Sequence, residues 1–237
     1  MKKLSSLICF LLIGCIIHAD QNFEGYYINN RGDTIKCTII VGIFKQEPDY
    51  ISVQNKIDII VADNKRLTLI PDTAMEFVIK GYDVRKFISV KNDFGMPTGF
   101  HNAKKFVFLE LLLDGYIKLY TGYYKDHETT SAGGSSFRYA RISTKNYIQK
   151  GDNQIVEVEK KDSKFRDQMS KVLNDNPKLV QKINDNYYGT EGIKRLITEY
   201  NDSRKKDSVI SNDTIVYDTC SRGRPSSVHN PHTSHLN

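Results

Sequence analysis

The sequence predicts an α+β protein, with an antiparallel β-sheet domain followed by about three short C-terminal helices. Three observations predict it. From Phe23 to Glu159, apolar and polar residues alternate in short runs broken by Gly, Asn, Asp and Pro, the pattern of strands and tight turns. Near the middle, the stretch FVFLELLLDGYIKLYTGYY sets two apolar runs on either side of Asp114-Gly115, a strong hairpin signal. At about Asp162 the apolar period changes from 2 to 3.6, from strand to helix. The sheet is expected to be curled, a sandwich or an open barrel. The four expected segments are a leader (1–19), the β domain (20–160), a helical segment packed on it (161–202) and a polar tail read as disordered (203–237).

The leader is the most informative functional feature. Lys2 and Lys3 form a basic start, residues 4–17 are a short apolar run, and Ile17-His18-Ala19 ends on a small residue. This is the pattern of a secretory signal peptide. The run is shorter than the roughly 20 residues of a membrane span. Two processing routes fit. Cleavage after Ala19 is one. Leu12-Ile13-Gly14-Cys15 also resembles a bacterial lipobox, which would make Cys15 the site of lipidation. Ile16 and Ile17 continue the apolar run where a lipoprotein begins its polar tether, which favours Ala19.

The β domain opens with strands at 23–28 and 34–41 around the turn Asn29-Asn30-Arg31-Gly32-Asp33. Short strands are expected at 50–54, 57–62 and 66–70, with Asp63-Asn64-Lys65 as a turn, then at 75–80 and 85–91. Residues 92–105 read as a long loop over a sheet edge. In the central hairpin, a two-residue loop would set Leu113 opposite Tyr116, Leu111 opposite Lys118 and Leu109 opposite Tyr120. Val107, Leu109, Leu111 and Leu113 share one face. Phe106, Phe108, Glu110 and Leu112 share the other, so both faces must be covered. Residues 125–136 read as a second long loop with a flexible tip at 131–136. The last strands are expected at 137–142, 146–149 and 154–159.

Phe165, Met169, Val172 and Leu173 make the first helical stripe, capped by Asp162 or Ser163. Asn176-Pro177 restarts the helix with a capping side chain and a proline at the first helical position. Leu179, Ile183 and Tyr187 then share a face. Gly189-Thr190 separates a third helix bearing Ile193, Leu196, Ile197 and Tyr200. Residues 208–217 have enough Val and Ile for one weak strand.

Composition and motifs exclude several functions. A net charge of +6 over 237 residues is modest, and no basic-aromatic array accompanies it, so no nucleic acid is expected as a partner. There is no P-loop, dinucleotide fingerprint, HExxH or GxSxG, and no cofactor is expected. His229, His232 and His235 lack the accompanying ligands and context of a metal site, so no metal is expected either. Cys37 and Cys220 are the cysteines beyond the leader, free to pair or to remain thiols.

Two kinds of chemistry remain. Tyr116, Tyr120, Tyr123 and Tyr124 crowd the central hairpin, with Phe94 and Phe100 near its start. Exposed, such rings stack on sugars or pack against a partner. Catalysis would draw on Asp93, His101, Asp126 and His127 in the two loops.

Three stretches carry a family resemblance. They run from Gly25-Tyr26-Tyr27-Ile28 through Gly32-Asp33-Thr34-Ile35, from Phe108-Leu109 through Gly115-Tyr116-Ile117-Lys118-Leu119-Tyr120, and from Asp175-Asn176-Pro177-Lys178-Leu179 through Ile197-Thr198-Glu199-Tyr200-Asn201. In this order, behind a signal peptide, they resemble a family of uncharacterised exported proteins common in Bacteroidota, over residues 23–201. The shared motifs are turns, a hairpin and helix caps, so the resemblance carries no catalytic residue to this chain. Cys37 stands where that pattern has Gly. Some similar proteins continue into an outer-membrane barrel; the polar tail here implies none.

These readings predict an exported, non-enzymatic binding or envelope-associated module in the periplasm or at the cell surface. Its partner would be an envelope protein or a glycan, with membrane contact only through a lipid anchor. The alternatives are a small extracytoplasmic hydrolase and a lipid-anchored accessory subunit.

Overall fold

The computed structural model describes residues 20–44, 47–81, 83–96, 105–132 and 135–217. In chain order come β1 (Gln21–Asn29), β2 (Thr34–Val41), β3 (Ile43–Phe44), β4 (Glu47–Pro48) and helix α1 (Tyr50–Val53). Strands β5 (Ile57–Ile60), β6 (Arg66–Leu69), β7 (Ala74–Lys80), β8 (Val84–Lys91), β9 (Phe106–Leu113), β10 (Ile117–Ala132), β11 (Ser135–Lys150) and β12 (Val156–Glu157) follow. Three helices end the described chain: α2 (Asp162–Val172), α3 (Pro177–Asn184) and α4 (Ile193–Tyr217). Ten strands form one open antiparallel sheet in the order β12-β11-β10-β9-β8-β7-β1-β2-β5-β6, and β3 pairs with β4 apart from it.

The expected α+β architecture is therefore present, and local chemistry explains much of it. Asn29 turns the chain from β1 to β2, its Oδ1 accepting from the N–H groups of Arg31 and Asp33 at 2.9 and 3.0 Å. Asp63 and Asn64 take the left-handed conformation between β5 and β6, with φ of 61° and 58°. These residue types tolerate it best after Gly. Asn176 caps α3 by accepting from Leu179 N at 3.2 Å, with Pro177 at the helix start. At α2 the expected side-chain cap is absent; the cap position is Lys161, and Asp162 lies in the first turn.

The sheet curls around α1. Phe77, Phe87, Phe108, Ile39, Ile59 and Val53 are buried together in this concavity. On the opposite face of β9, Val107 and Leu109 pack with Met96, Tyr120 and Tyr147. Part of the expected loop cover is seen there: Asn92 holds Met96 through two hydrogen bonds of 3.0 and 2.9 Å. Phe94 lies 4.9 Å from the Tyr147 ring. The third cluster joins Ile117, Leu119 and Ile148 of the sheet to Phe165, Met169, Ile183, Leu196 and Tyr200 of the helices. So the helices cover the turn end of the β9–β10 hairpin, and α1 with the early strands covers the inner face.

Four local expectations are corrected. Residues 50–54 are not a strand: Asp49 caps α1, accepting from Ser52 N at 3.3 Å and Ser52 Oγ at 2.6 Å. The central hairpin has a different register, pairing Leu113 with Leu119 and Leu111 with Tyr120 around a bulge. Its two-residue loop is overridden by α4. Asn201 Oδ1 accepts from Ile117 N at 2.9 Å, and its Nδ2 donates to Ile117 O at 2.8 Å. The side-chain amide thus stands where a strand partner would.

The second loop is the far half of a long ribbon. β10 and β11 pair without interruption from Ile117↔Lys150 to Ala132↔Ser135. Thr-rich and Tyr-containing segments favour extended backbone, and pairing along the whole ribbon wins over the flexibility of the small residues. Gly133 and Gly134, at the expected tip, lie outside the described residues. Finally, residues 208–217 continue α4 rather than forming a strand.

Candidate functional site

One polar cluster sits in the concave face, where apolar packing alone would need none. It begins with a break in the sheet. β9 and β10 pair only at Leu113/Leu119, Leu111/Tyr120 and Glu110/Thr121, then separate. Gln54, at the end of α1, fills the opening. Its Oε1 accepts from Tyr123 N at 2.6 Å, its Nε2 donates to Tyr123 O at 2.7 Å, and its own carbonyl accepts from Phe108 N at 3.0 Å. Buried backbone groups must be satisfied, and here one glutamine bridges two parting strands. It also fixes Tyr123 and, through α1, Tyr50.

Arg85 of β8, Glu110 of β9 and Tyr123 of β10 meet beside this plug. Arg85 Nη1 is 3.2 Å from each Glu110 carboxylate oxygen and donates to Tyr123 Oη at 3.0 Å. The Tyr123 hydroxyl in turn donates to Glu110 Oε2. The guanidinium lies 4.6 Å from the Tyr50 ring centre, and that ring is 5.2 Å from Tyr123. The Glu110 side chain is 8% exposed and Arg85 30%, so the ion pair has a buried end and an end facing solvent.

The electrostatics follow from this placement. Burial opposes the Arg85 charge, but Glu110 and the two tyrosines outweigh it and push the guanidinium pKa above its ordinary value. Burial pushes the Tyr123 phenol up, and its hydrogen bond to the Glu110 carboxylate reinforces the shift. Burial likewise raises Tyr50, against the opposing pull of Arg85. Both phenols therefore stay protonated at neutral pH, and Tyr123 acts as a hydrogen-bond donor to carboxylate rather than as a base.

A cavity of about 620 Å³ opens over the cluster, within the roughly 300–1,000 Å³ of small-ligand pockets. Phe23, Pro48, Ile79 and Ile142 contribute apolar wall; Gln21, Glu47, Asp83 and Thr144 contribute polar groups. A larger hollow of about 760 Å³ runs along α4 and includes Arg195 and Glu199. Two of its charges are already engaged with the helical layer: Glu199 accepts from Lys182 Nζ at 2.6 Å and from the Tyr188 hydroxyl, and Arg195 lies over the Tyr187 and Tyr188 rings. It is a solvated helix face.

The predicted aromatic set does not assemble as one patch. Tyr120 and Tyr123 are buried, but in two different core clusters. Tyr116 is exposed beside Tyr200, 6.3 Å between ring centres. Tyr124 is half-buried, with Lys145 and Lys160 over its ring at 5.6 and 5.3 Å. Phe94 packs on Tyr147, and Phe100 lies outside the described residues. Among the described members of the set, Tyr123 alone lines the cavity.

The described acid–base candidates do not converge either. Asp93 is exposed and pairs with Lys91 at 3.3 Å. Asp126 and His127 are adjacent exposed strand residues, whose side chains alternate between faces. His101, Cys15, Cys220, His229, His232 and His235 lie outside the described residues. Cys37 is half-buried, and burial pushes its thiol up to about 11, so it is un-ionised at neutral pH. Among the described residues no group of three or more His, Cys, Asp or Glu is placed to hold a metal ion, and no helix is long and apolar enough to cross a membrane.

Gln54, Arg85 and Glu110 carry the site, and sequence reasoning passed over all three. One signal was available: Glu110 is the single charge in the strand FVFLELLL, and a charge in an apolar strand needs a partner. No known protein family, curated protein or solved structure matches this chain.

Proposed function

We propose that this protein is an exported, non-enzymatic binding module whose ligand seats in the cavity over Tyr50, Arg85 and Tyr123. The observation that carries the reading is the half-exposed arrangement of Arg85. Its inner side is anchored by Glu110 and Tyr123, its face by Tyr50, and 30% of the side chain remains open at the cavity. A guanidinium so fixed is preorganised, which lowers the ordering cost of binding. Export is supported by the leader and by the position of β1, which begins at Gln21. A cut after Ala19 would remove the leader without entering the sheet.

Two measurements test this. Mass spectrometry of the processed chain is expected to give a free N-terminus at Asp20 or Gln21. A diacylated Cys15 would move the protein to a lipid anchor, and an unprocessed Met1 would sink export. For binding, ligands co-purified from the cell envelope are released by denaturation and identified by mass spectrometry. Wild type is expected to carry a small molecule that Arg85→Met lacks; equal loads on both proteins would sink the pocket as the site.

A further inference from the structure

Resting on the reading that this cavity binds a ligand, we infer that the ligand is a neutral saccharide. The inference follows from charge, hydrogen-bonding capacity and wall chemistry taken together.

Charge removes two classes. Among the described lining residues the cavity holds one cation, Arg85, and two carboxylates, Glu47 and Asp83. Glu110 stands directly behind the cation at 3.2 Å. An anion would meet two facing carboxylates and a guanidinium already neutralised. A cation would share the cavity with the Arg85 guanidinium, which repels it and already holds the Tyr50 face at 4.6 Å. A neutral ligand meets neither penalty.

The polar groups then specify what kind of neutral ligand fits. Glu47 and Asp83 only accept hydrogen bonds when ionised; Arg85 only donates; Gln21 and Thr144 do both. Donors and acceptors lining one cavity suit a molecule whose every polar group both donates and accepts. Sugar hydroxyls have this property, and hydrogen bonds to charged partners are the strong ones. An apolar ligand would leave these groups unpaired.

The remaining wall completes the match. Phe23 and Pro48 lie beside Ile79 and Ile142 in the same lining. A pyranose has an apolar C–H face as well as a polar rim, and an aromatic ring takes that face well. The lining thus offers both apolar and charged groups to one ligand, as an amphipathic ring requires. Gln54 holds Tyr123 through buried hydrogen bonds of 2.6 and 2.7 Å, and the Tyr50 ring of α1 packs 5.2 Å from it, so these walls are in place before binding.

The test uses gluco-configured sugars in three charge states. Calorimetric titrations of the full chain, purified from the envelope, use the neutral probes glucose, N-acetylglucosamine, maltose and cellobiose. The anionic probes are glucuronate and glucose 6-phosphate; the cationic probe is glucosamine. At least one neutral sugar is expected to bind saturably, with its charged counterparts weaker by about tenfold or more. Asp83→Asn and Thr144→Val, both at the cavity lining, are expected to weaken it by about tenfold each without moving the thermal midpoint. Glu47→Gln serves as a third variant if either fails to fold.

If a charged probe binds and the lining variants weaken it while neutral sugars do not bind, the saccharide inference falls and the pocket reading stands. If no probe binds, or the variants bind every probe as wild type does, both fall.

Discussion

At the scale of single residues, the chemistry of the site depends on an asymmetry between Arg85 and Glu110. Removing one partner of a buried pair costs more than the pair contributes, because the remaining charge is stranded. Glu110 is the stranded partner when Arg85 is lost, since its side chain is 8% exposed against 30% for Arg85. Arg85→Ala is therefore expected to destabilise by about 3 kcal/mol. Glu110→Gln should cost only about 1 kcal/mol, because an amide still accepts from Tyr123 and Arg85 can turn to water. Urea denaturation of both variants checks this, and equal losses would show that the two ends of the pair are equally solvated. Glu110 was visible in the sequence as an anomaly in its strand. Arg85 was not, because Arg85-Lys86 reads as ordinary solvated charge, and only the sheet order brings β8 beside β9.

At the scale of elements, the stretch of β10 that pairs with β9 is flanked on both sides by primary amides. Toward β9 it has strand partners only from Leu119 to Thr121. Asn201 serves Ile117 on one side of this stretch and Gln54 serves Tyr123 on the other, each amide donating to the carbonyl and accepting from the N–H of one residue. These contacts span 84 and 69 residues, so a local reading of the hairpin had no access to them. Its two-residue loop failed for that reason, although Asp114-Gly115 did mark the turn. Gly115 is needed for a second reason: a Cβ there would lie 2.7 Å from Asn201 Cγ. Asn201→Ala is expected to cost about 2–3 kcal/mol, since it leaves two buried backbone groups unpaired. Gly115→Ala should also destabilise the wild type, yet cost little once Asn201 is already alanine. A double-mutant cycle measures this coupling; additive losses would mean that the close approach of Gly115 to Asn201 is not what requires glycine.

At the scale of the whole molecule, period and turn chemistry made the architecture legible, because strand alternation and helix stripes are properties of contiguous residues. The pairing of distant elements was not legible, and the cavity depends on it: β1, β4, α1, β7, β8, β10 and β11 each contribute to it. The same dependence governs how the helices hold the sheet. Asp175, between α2 and α3, accepts from Lys150 of β11 at 2.9 Å and from the Tyr200 hydroxyl of α4 at 2.8 Å. Burial alone would raise its pKa, but these two hydrogen bonds outweigh it and hold the carboxyl below its ordinary value. A carboxylate depressed in the folded state adds stability above the unfolded value, and that stability is lost as pH falls through the folded value. The helical layer should therefore keep its full grip on the sheet at neutral pH and loosen only below about pH 4. Asp175→Asn is expected to lower the urea midpoint at neutral pH, with the gap closing as acid protonates the wild-type carboxyl. The chain has 14 Tyr and no Trp, so tyrosine fluorescence is the natural probe of that transition. A gap that stayed constant through the acid range would show that Asp175 joins helices to sheet by shape and not by charge.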